Sequence, residues 1–170
     1  MTESHSKHIL SIMVDNEPGV LARIVGLFSG RGYNIESLSV SEVDSDRFLS
    51  RVTVVTSGTK NIIDQIKAQV RKLIPVHNLI DITELKSFIG KELILVKLDI
   101  KQKTVIKIHE HIKNIGAKIL FEDETVIIIE FSGTPTEISS LIKKMKVYNI
   151  VELTRSGLVS MALGKDYIRR

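Results

Sequence analysis

The stretch His8-Ile9-Leu10-Ser11-Ile12-Met13-Val14-Asp15, followed by Asn16-Glu17-Pro18-Gly19 and then Val20-Leu21-Ala22-Arg23-Ile24, decides the reading of the fold. Its first part alternates and is rich in β-formers, so it predicts a strand. Asn16 suits a helix N-cap and Pro18 suits a first turn, where a missing N–H costs nothing. Beyond them Val20, Leu21, Ile24, Leu27 and Phe28 recur at helical spacing. Ser29-Gly30-Arg31-Gly32 closes that helix, Gly30 or Gly32 being suited to a left-handed cap. Residues 33–43 and 47–56 then predict two strands joined by the turn Asp44-Ser45-Asp46. Ser57-Gly58-Thr59 breaks the chain before a second amphipathic helix carrying Ile62, Ile63, Ile66, Val70, Leu73 and Ile74. Pro75 stops it, and residues 76–85 predict a fourth strand. The order β-α-β-β-α-β is the ferredoxin-like, or split βαβ, pattern.

The second half repeats that order. Residues 92–100 predict a strand, and residues 104–114 a helix closed by Gly116. Residues 117–121 and 125–131 predict strands joined by the acidic turn Glu122-Asp123-Glu124. Thr134, with Pro135 next and Glu137 three residues on, has the spacing of a capping box. The helix it opens runs to about Tyr148, residues 150–154 form a strand, and residues 157–163 suggest one more. The fold class expected is α+β, with two ferredoxin-like βαββαβ domains in tandem: 1–85, a linker at 86–91, and 92–170. The first domain's strands carry apolar residues on both sides (Ile9, Leu10, Ile12, Met13, Val52, Val54, Val55). Strands of that kind are usually buried on both faces. In so small a domain, another copy or another protein is expected to cover the face that the helices leave bare.

The chain has 170 residues, 43% hydrophobic and 26% charged, which suits a globular protein of one ordinary or two small domains. No apolar run nears the length of a membrane span, and the short polar N-terminus has no signal-peptide core, so a cytoplasmic protein is expected. The absence of Cys excludes disulfides, thiolate catalysis, Cys-ligated zinc and iron–sulfur clusters. With no Trp and 5% aromatics, base-stacking nucleic-acid modes are disfavoured. Residues 1–84 carry 9 Lys/Arg against 10 Asp/Glu, whereas residues 85–170 carry 15 against 10. The basic excess is mostly Lys scattered at helical and strand spacing, which reads as a solvated surface or one facing an acidic protein partner.

No catalytic or nucleotide motif stands in the chain: GxSxG, a Walker A loop, HExxH and GxGxxG are all absent. His109 and His111 are two apart on a helix and point to different faces, so they cannot share a metal as an i, i+4 pair can. The carboxylates cluster in turns, where solvation is the default. No catalytic residue and no metal ligand is therefore assigned.

The turn at 15–21 and the stretch Arg31-Gly32-Tyr33-Asn34-Ile35 carry the chemistry that can be read. A helix start offers unpaired N–H groups and a partial positive charge, which suits a carboxylate. Gly19 lets a ligand approach the backbone closely. The amides of Asn16 and Asn34 offer donors and acceptors for a zwitterion. Leu21 and Ile35 offer an apolar wall. Asn16, Gly19, Val20, Leu21, Asn34 and Ile35 are the candidate effector-binding residues, and a small aliphatic amino acid is the ligand they would suit. A well-capped turn and a strand-edge Asn would look the same in sequence.

The run from Asn16 to Arg23 resembles the signature turn of ACT domains, which bind small effectors, often amino acids. The longer run through Ile24-Val25-Gly26-Leu27-Phe28-Ser29-Gly30-Arg31-Gly32-Tyr33-Asn34-Ile35-Glu36-Ser37-Leu38 is more specific, and resembles the small regulatory subunits of acetolactate synthase (acetohydroxyacid synthase). Leu49-Ser50-Arg51-Val52-Thr53 fits the same family, and Lys91-Glu92-Leu93-Ile94-Leu95-Val96-Lys97 and Ile150-Val151-Glu152-Leu153-Thr154-Arg155-Ser156-Gly157 resemble its second domain. The resemblance implies a non-catalytic subunit that binds and activates a separate catalytic subunit and confers feedback inhibition by valine in branched-chain amino acid biosynthesis. It also implies a homodimer through the ACT domain, with the effector between paired domains: Asn16, Gly19, Val20 and Leu21 from one copy, Asn34 and Ile35 from the other. Thiamine diphosphate, FAD and magnesium are then expected only in the catalytic partner, with no cofactor in this chain and neither nucleic acid nor membrane as partner. The alternatives are a stand-alone ACT-type sensor acting on a nucleic-acid-binding protein or another enzyme, and a small ligase or transferase on a ferredoxin-like scaffold.

Overall fold

The computed structural model describes residues 5–100 and 105–168. The elements run β1 (Ser6–Asp15), α1 (Val20–Ser29), β2 (Ser37–Asp44), β3 (Leu49–Gly58), α2 (Lys60–Val70), β4 (Val76–Asp81), β5 (Phe88–Asp99), α3 (Val105–Ile115), β6 (Lys118–Glu122), β7 (Val126–Gly133), α4 (Pro135–Met145), β8 (Asn149–Arg155) and β9 (Val159–Ala162). A 3-10 turn, Ile82–Glu84, follows β4. The chain divides into two compact units, Met1–Ile89 with Leu158–Arg170, and Gly90–Gly157. Each holds one antiparallel sheet of the ferredoxin-like order, β2-β3-β1-β4 in the first and β6-β7-β5-β8 in the second. The two-fold βαββαβ reading therefore holds. The start of the third helix, expected at residue 104, lies outside the described residues.

In the first unit β1 lies centrally, with Ile12 opposite Val52 on β3 and Leu79 on β4. Alternate residues of the pleat point to opposite faces. Leu10, Ile12, Val14, Val52, Val54 and Leu79 face α1 and α2, and pack on Val20, Ile24, Phe28, Ile63, Ile66 and Val70. The residues between them face the other way. There Ile9 and Val55 pack with Ile82 and Leu158, and Met13 and Leu49 pack with Ile168. Leu158 is held by Ser37 and Ser39 of β2: its N–H donates to Ser37 Oγ (3.1 Å), and its carbonyl accepts from Ser39 Oγ (2.9 Å). Leu163 N–H donates to Ser87 O at 3.1 Å.

This corrects the inference that the helix-free face must be covered by a second molecule. Much of that cover comes from residues 158–168 of the same chain. The alternation showed that the face is buried, and burial does not say which segment buries it. β2 also begins at Ser37 rather than residue 33, and β5 begins at Phe88, within the segment read as a linker.

In the second unit Ile94, Val96, Leu98, Ile127 and Ile129 form the inner face of the sheet, packed on Ile108, Ile112, Ile138, Leu141 and Met145. The capping box forms as expected. Thr134 Oγ1 accepts from Glu137 N–H, and Glu137 Oε2 accepts from Thr134 N–H at 2.6 Å. The backbone N–H of Thr134 first, and its hydroxyl second, hold the Glu137 carboxyl below its ordinary range, Lys91 adding to the effect.

Candidate effector site

The bend between β1 and α1 is built by Pro18 and Gly19. Gly19 has φ 86° and ψ −9°, the third-residue geometry of a type II turn, in which Pro is favoured just before it. Val20 N–H closes the turn on Glu17 O at 3.3 Å. A positive φ is non-helical, so the helix cannot begin before Val20. The N-cap is Gly19, not Asn16, and that expectation is corrected by the backbone geometry. The bend is anchored from both sides, by Asp15 N–H on Pro75 O (2.9 Å) and Asn16 N–H on Phe48 O (2.6 Å). Asp15 also meets His77 Nε2 at 2.5 Å.

No side chain caps α1, and its first turn has no acidic residue. The first amides of a helix have no intrahelical partner, so this start keeps its affinity for an anion. Asn16, Glu17, Pro18 and Gly19 are all exposed. A Cβ built on Gly19 would meet nothing within 4 Å. The bend is thus open, with no side chain of the described residues filling it. Val20 turns its side chain into the core and offers only backbone, whereas Leu21 is 39% exposed beside the bend.

Asn34 and Ile35 lie in the loop ahead of β2. The Asn34 side chain is exposed, while its carbonyl accepts from Thr56 Oγ1 at 2.7 Å. Ile35 packs half-buried against the first core. Glu36 follows, pairing with Lys7 at 2.7 Å and accepting from Ser57 Oγ. The Lys7 ammonium first, and the Ser57 hydroxyl second, hold the Glu36 carboxyl below its usual range. Within one chain, then, Asn16, Gly19, Val20 and Leu21 share one bend. Asn34 and Ile35 sit on a separate loop, and among the described residues no hydrogen bond joins the two groups.

Besides His77, three histidines have partners: His109 meets Glu122 at 2.8 Å, His111 meets Tyr148 at 2.5 Å, and His8 meets the buried Asp81 at 2.7 Å. His109 and His111 do point to different partners, as their spacing required. Among the described residues no group of three His, Cys, Asp or Glu is placed to hold a metal. No helix among the described residues is long and apolar enough to cross a membrane. Sequence reasoning passed over Arg51 as part of a strand. It projects from the helix-free face of the first sheet, and its only signal in sequence was a lone cation among apolar and hydroxyl neighbours.

Residues 10–78 match the family model described as an acetohydroxyacid synthase small subunit-like ACT domain, and residues 91–164 match that described as the small subunit of acetolactate synthase. A probable acetolactate synthase small subunit of Archaeoglobus fulgidus is 38% identical over 158 residues, covering 93% of this chain and 98% of that protein. The acetolactate synthase isozyme 3 small subunit of Escherichia coli is 32% identical, covering 96% and 99%. The crystal structure of the acetolactate synthase small subunit of Thermotoga maritima superposes with a TM-score of 0.87 at 28% identity, over 95% of this chain and 99% of that one.

Proposed function

This chain belongs to the acetolactate synthase small-subunit family, and we propose that it is the non-catalytic regulatory subunit that binds and activates the catalytic subunit and confers feedback inhibition by valine. The thiamine diphosphate, FAD and magnesium of the reaction belong to that partner. The observation that carries the effector reading is the open Gly19 bend, with α1 starting uncapped behind it. Valine's carboxylate lies against the first-turn amides, and its ammonium on the side-chain oxygens of Asn16 or Asn34. Its isopropyl group rests against Leu21 and Ile35. Because Asn34 and Ile35 stand apart from the bend in one chain, the second lip comes from a second copy, in a homodimer of ACT domains.

A feedback effector with a Kd of about 0.1–1 mM requires roughly 4–5.5 kcal/mol. A helix terminus, a few hydrogen bonds and one buried isopropyl group supply that much. Inhibition further requires that valine bind the activating and inhibiting states of the complex unequally, since equal affinity shifts nothing. The experiment mixes the chain with its cognate catalytic subunit and measures acetolactate formation with and without valine. The expected result is higher activity on mixing and inhibition on adding valine. Unchanged activity on mixing rejects the regulatory role, and activation without valine response rejects the effector.

A further inference from the structure

The helix-free face of the first unit holds a cavity that the regulatory reading does not use. It measures about 330 Å³, within the range of small-molecule sites, and Met13, Ile80, Met161 and Ile168 make it largely apolar. Arg51 and Val43 connect it to a smaller hollow of about 170 Å³, bordered by the hydroxyls of Ser41, Thr53 and Ser160. We propose that this cavity binds a small aliphatic carboxylate without an ammonium group, its anionic head on Arg51 and Ser160 and its alkyl tail between Met13, Ile80 and Ile168.

Arg51 is half-buried, and no described carboxylate pairs with it. Its Nε–H donates to Ser11 Oγ at 2.8 Å, and Nη2 donates to Ser160 O at 2.8 Å. Among the described residues two of its five guanidinium N–H groups are thus used, which leaves three for an anion. Desolvation lowers the Arg51 pKa, yet a guanidinium stays charged in any folded protein. A half-buried cation without a counter-charge is where an anion gains most.

The second observation is independent. Ser160 is 8% exposed, and its Oγ is buried with no hydrogen-bond partner. Buried hydroxyls are nearly always paired, and a rotation of this one toward the hollow that Ser160 lines would give a ligand oxygen a donor beside Arg51. The class of ligand follows from what the walls lack. Among the described residues no Asp or Glu lines either hollow, so an ammonium carried in with the carboxylate would lose its hydration with no carboxylate partner there. At the Gly19 bend the ammonium has the amide oxygens of Asn16 or Asn34, whereas here it would stand beside the like charge of Arg51, so the two sites select different metabolites.

The test uses the full chain labelled with ¹³C at the methionine methyls. Met13 and Met161 line the cavity, and Met145, in the core of the second unit, is the control. The probes are 4-methylpentanoate and leucine, which share one carbon skeleton and differ only in the α-ammonium. 4-Methylpentanoate is expected to shift Met13 and Met161 saturably, with Met145 unmoved and leucine at least tenfold weaker at those two signals. Arg51→Gln should weaken binding by about tenfold or more. Ala162→Leu fills the cavity while leaving the Arg51 bonds in place, and should abolish the shifts; unchanged amide signals of Ile12, Val54 and Leu79, in the core of the first unit, in a ¹⁵N-labelled sample show that this variant is folded. No saturable shift, an equal response to leucine at Met13 and Met161, or full binding by Ala162→Leu each overturns the proposal. None of these outcomes bears on valine at the Gly19 bend.

Discussion

Replacing Gly19 by Asn and by Asp separates the two ways in which this position can matter. The two side chains are nearly isosteric, and both tolerate a left-handed backbone better than other residues do. At φ 86° each costs on the order of 1 kcal/mol in backbone strain relative to Gly, and the cost is common to both. Bulk at the bend is also common to both, since nothing lies within 4 Å of the new Cβ. What differs is charge. Asp at this N-cap interacts favourably with the helix dipole, so without ligand the Asp variant should be as stable as the Asn variant, or more stable by about 0.3–1 kcal/mol. Valine's carboxylate would then lie about 4 Å from the new carboxylate. That repulsion is about 1 kcal/mol at the dielectric of water and about 4 kcal/mol at that of a protein surface. The half-inhibitory valine concentration of the reconstituted complex should therefore rise between about fivefold and a thousandfold from Asn to Asp. Thermal melts of the free chain should show the opposite order or none. Equal valine responses in the two variants would refute the placement of the ligand carboxylate at the start of α1.

Two further perturbations test the fold that presents the bend. Leu158→Ala removes a side chain that is 3% exposed among Ile9, Val55 and Ile82, and should cost about 2–5 kcal/mol by urea unfolding; a change within 0.5 kcal/mol would show that residues 158–168 do not seal the first sheet. Lys67 is buried, and burial alone would lower its pKa, but hydrogen bonds to Glu84 (2.6 Å) and Asp64 more than offset this and raise it. A raised lysine pKa stabilises fully below the unfolded value of about 10.4 and is lost as pH climbs through the folded value. Lys67→Met should accordingly be about 1–3 kcal/mol less stable than the parent at pH 8, with the gap closing above pH ~10.4 in denaturation curves; a gap constant to pH 12 would contradict the pairing.

The βαββαβ order was legible twice over because its signals are local. Val20, Ile24 and Phe28 recur on one helix face, and Leu10, Ile12 and Val14 alternate on one pleat. The Thr134–Glu137 capping box was legible for the same reason: both partners lie within one helical turn. The N-cap at residue 16 was misread because Asn is a good cap in isolation, whereas the left-handed Gly19 sets where α1 can start. The chemistry of the candidate site was readable as residue types, and its openness at Gly19 was not.

Pattern and turn chemistry alone thus determined two ferredoxin-like units and a Pro-Gly bend ahead of α1, since hydrophobic periodicity and backbone restrictions act over a few residues. Only the tertiary structure decided that Leu158 would meet Ile9, that Arg51 would reach Ser11 and Ser160, and that a cavity would remain between them. Those contacts join residues up to about 150 positions apart, and the hydrophobic effect that drives them is non-directional: it requires that an apolar face be covered without naming the segment that covers it.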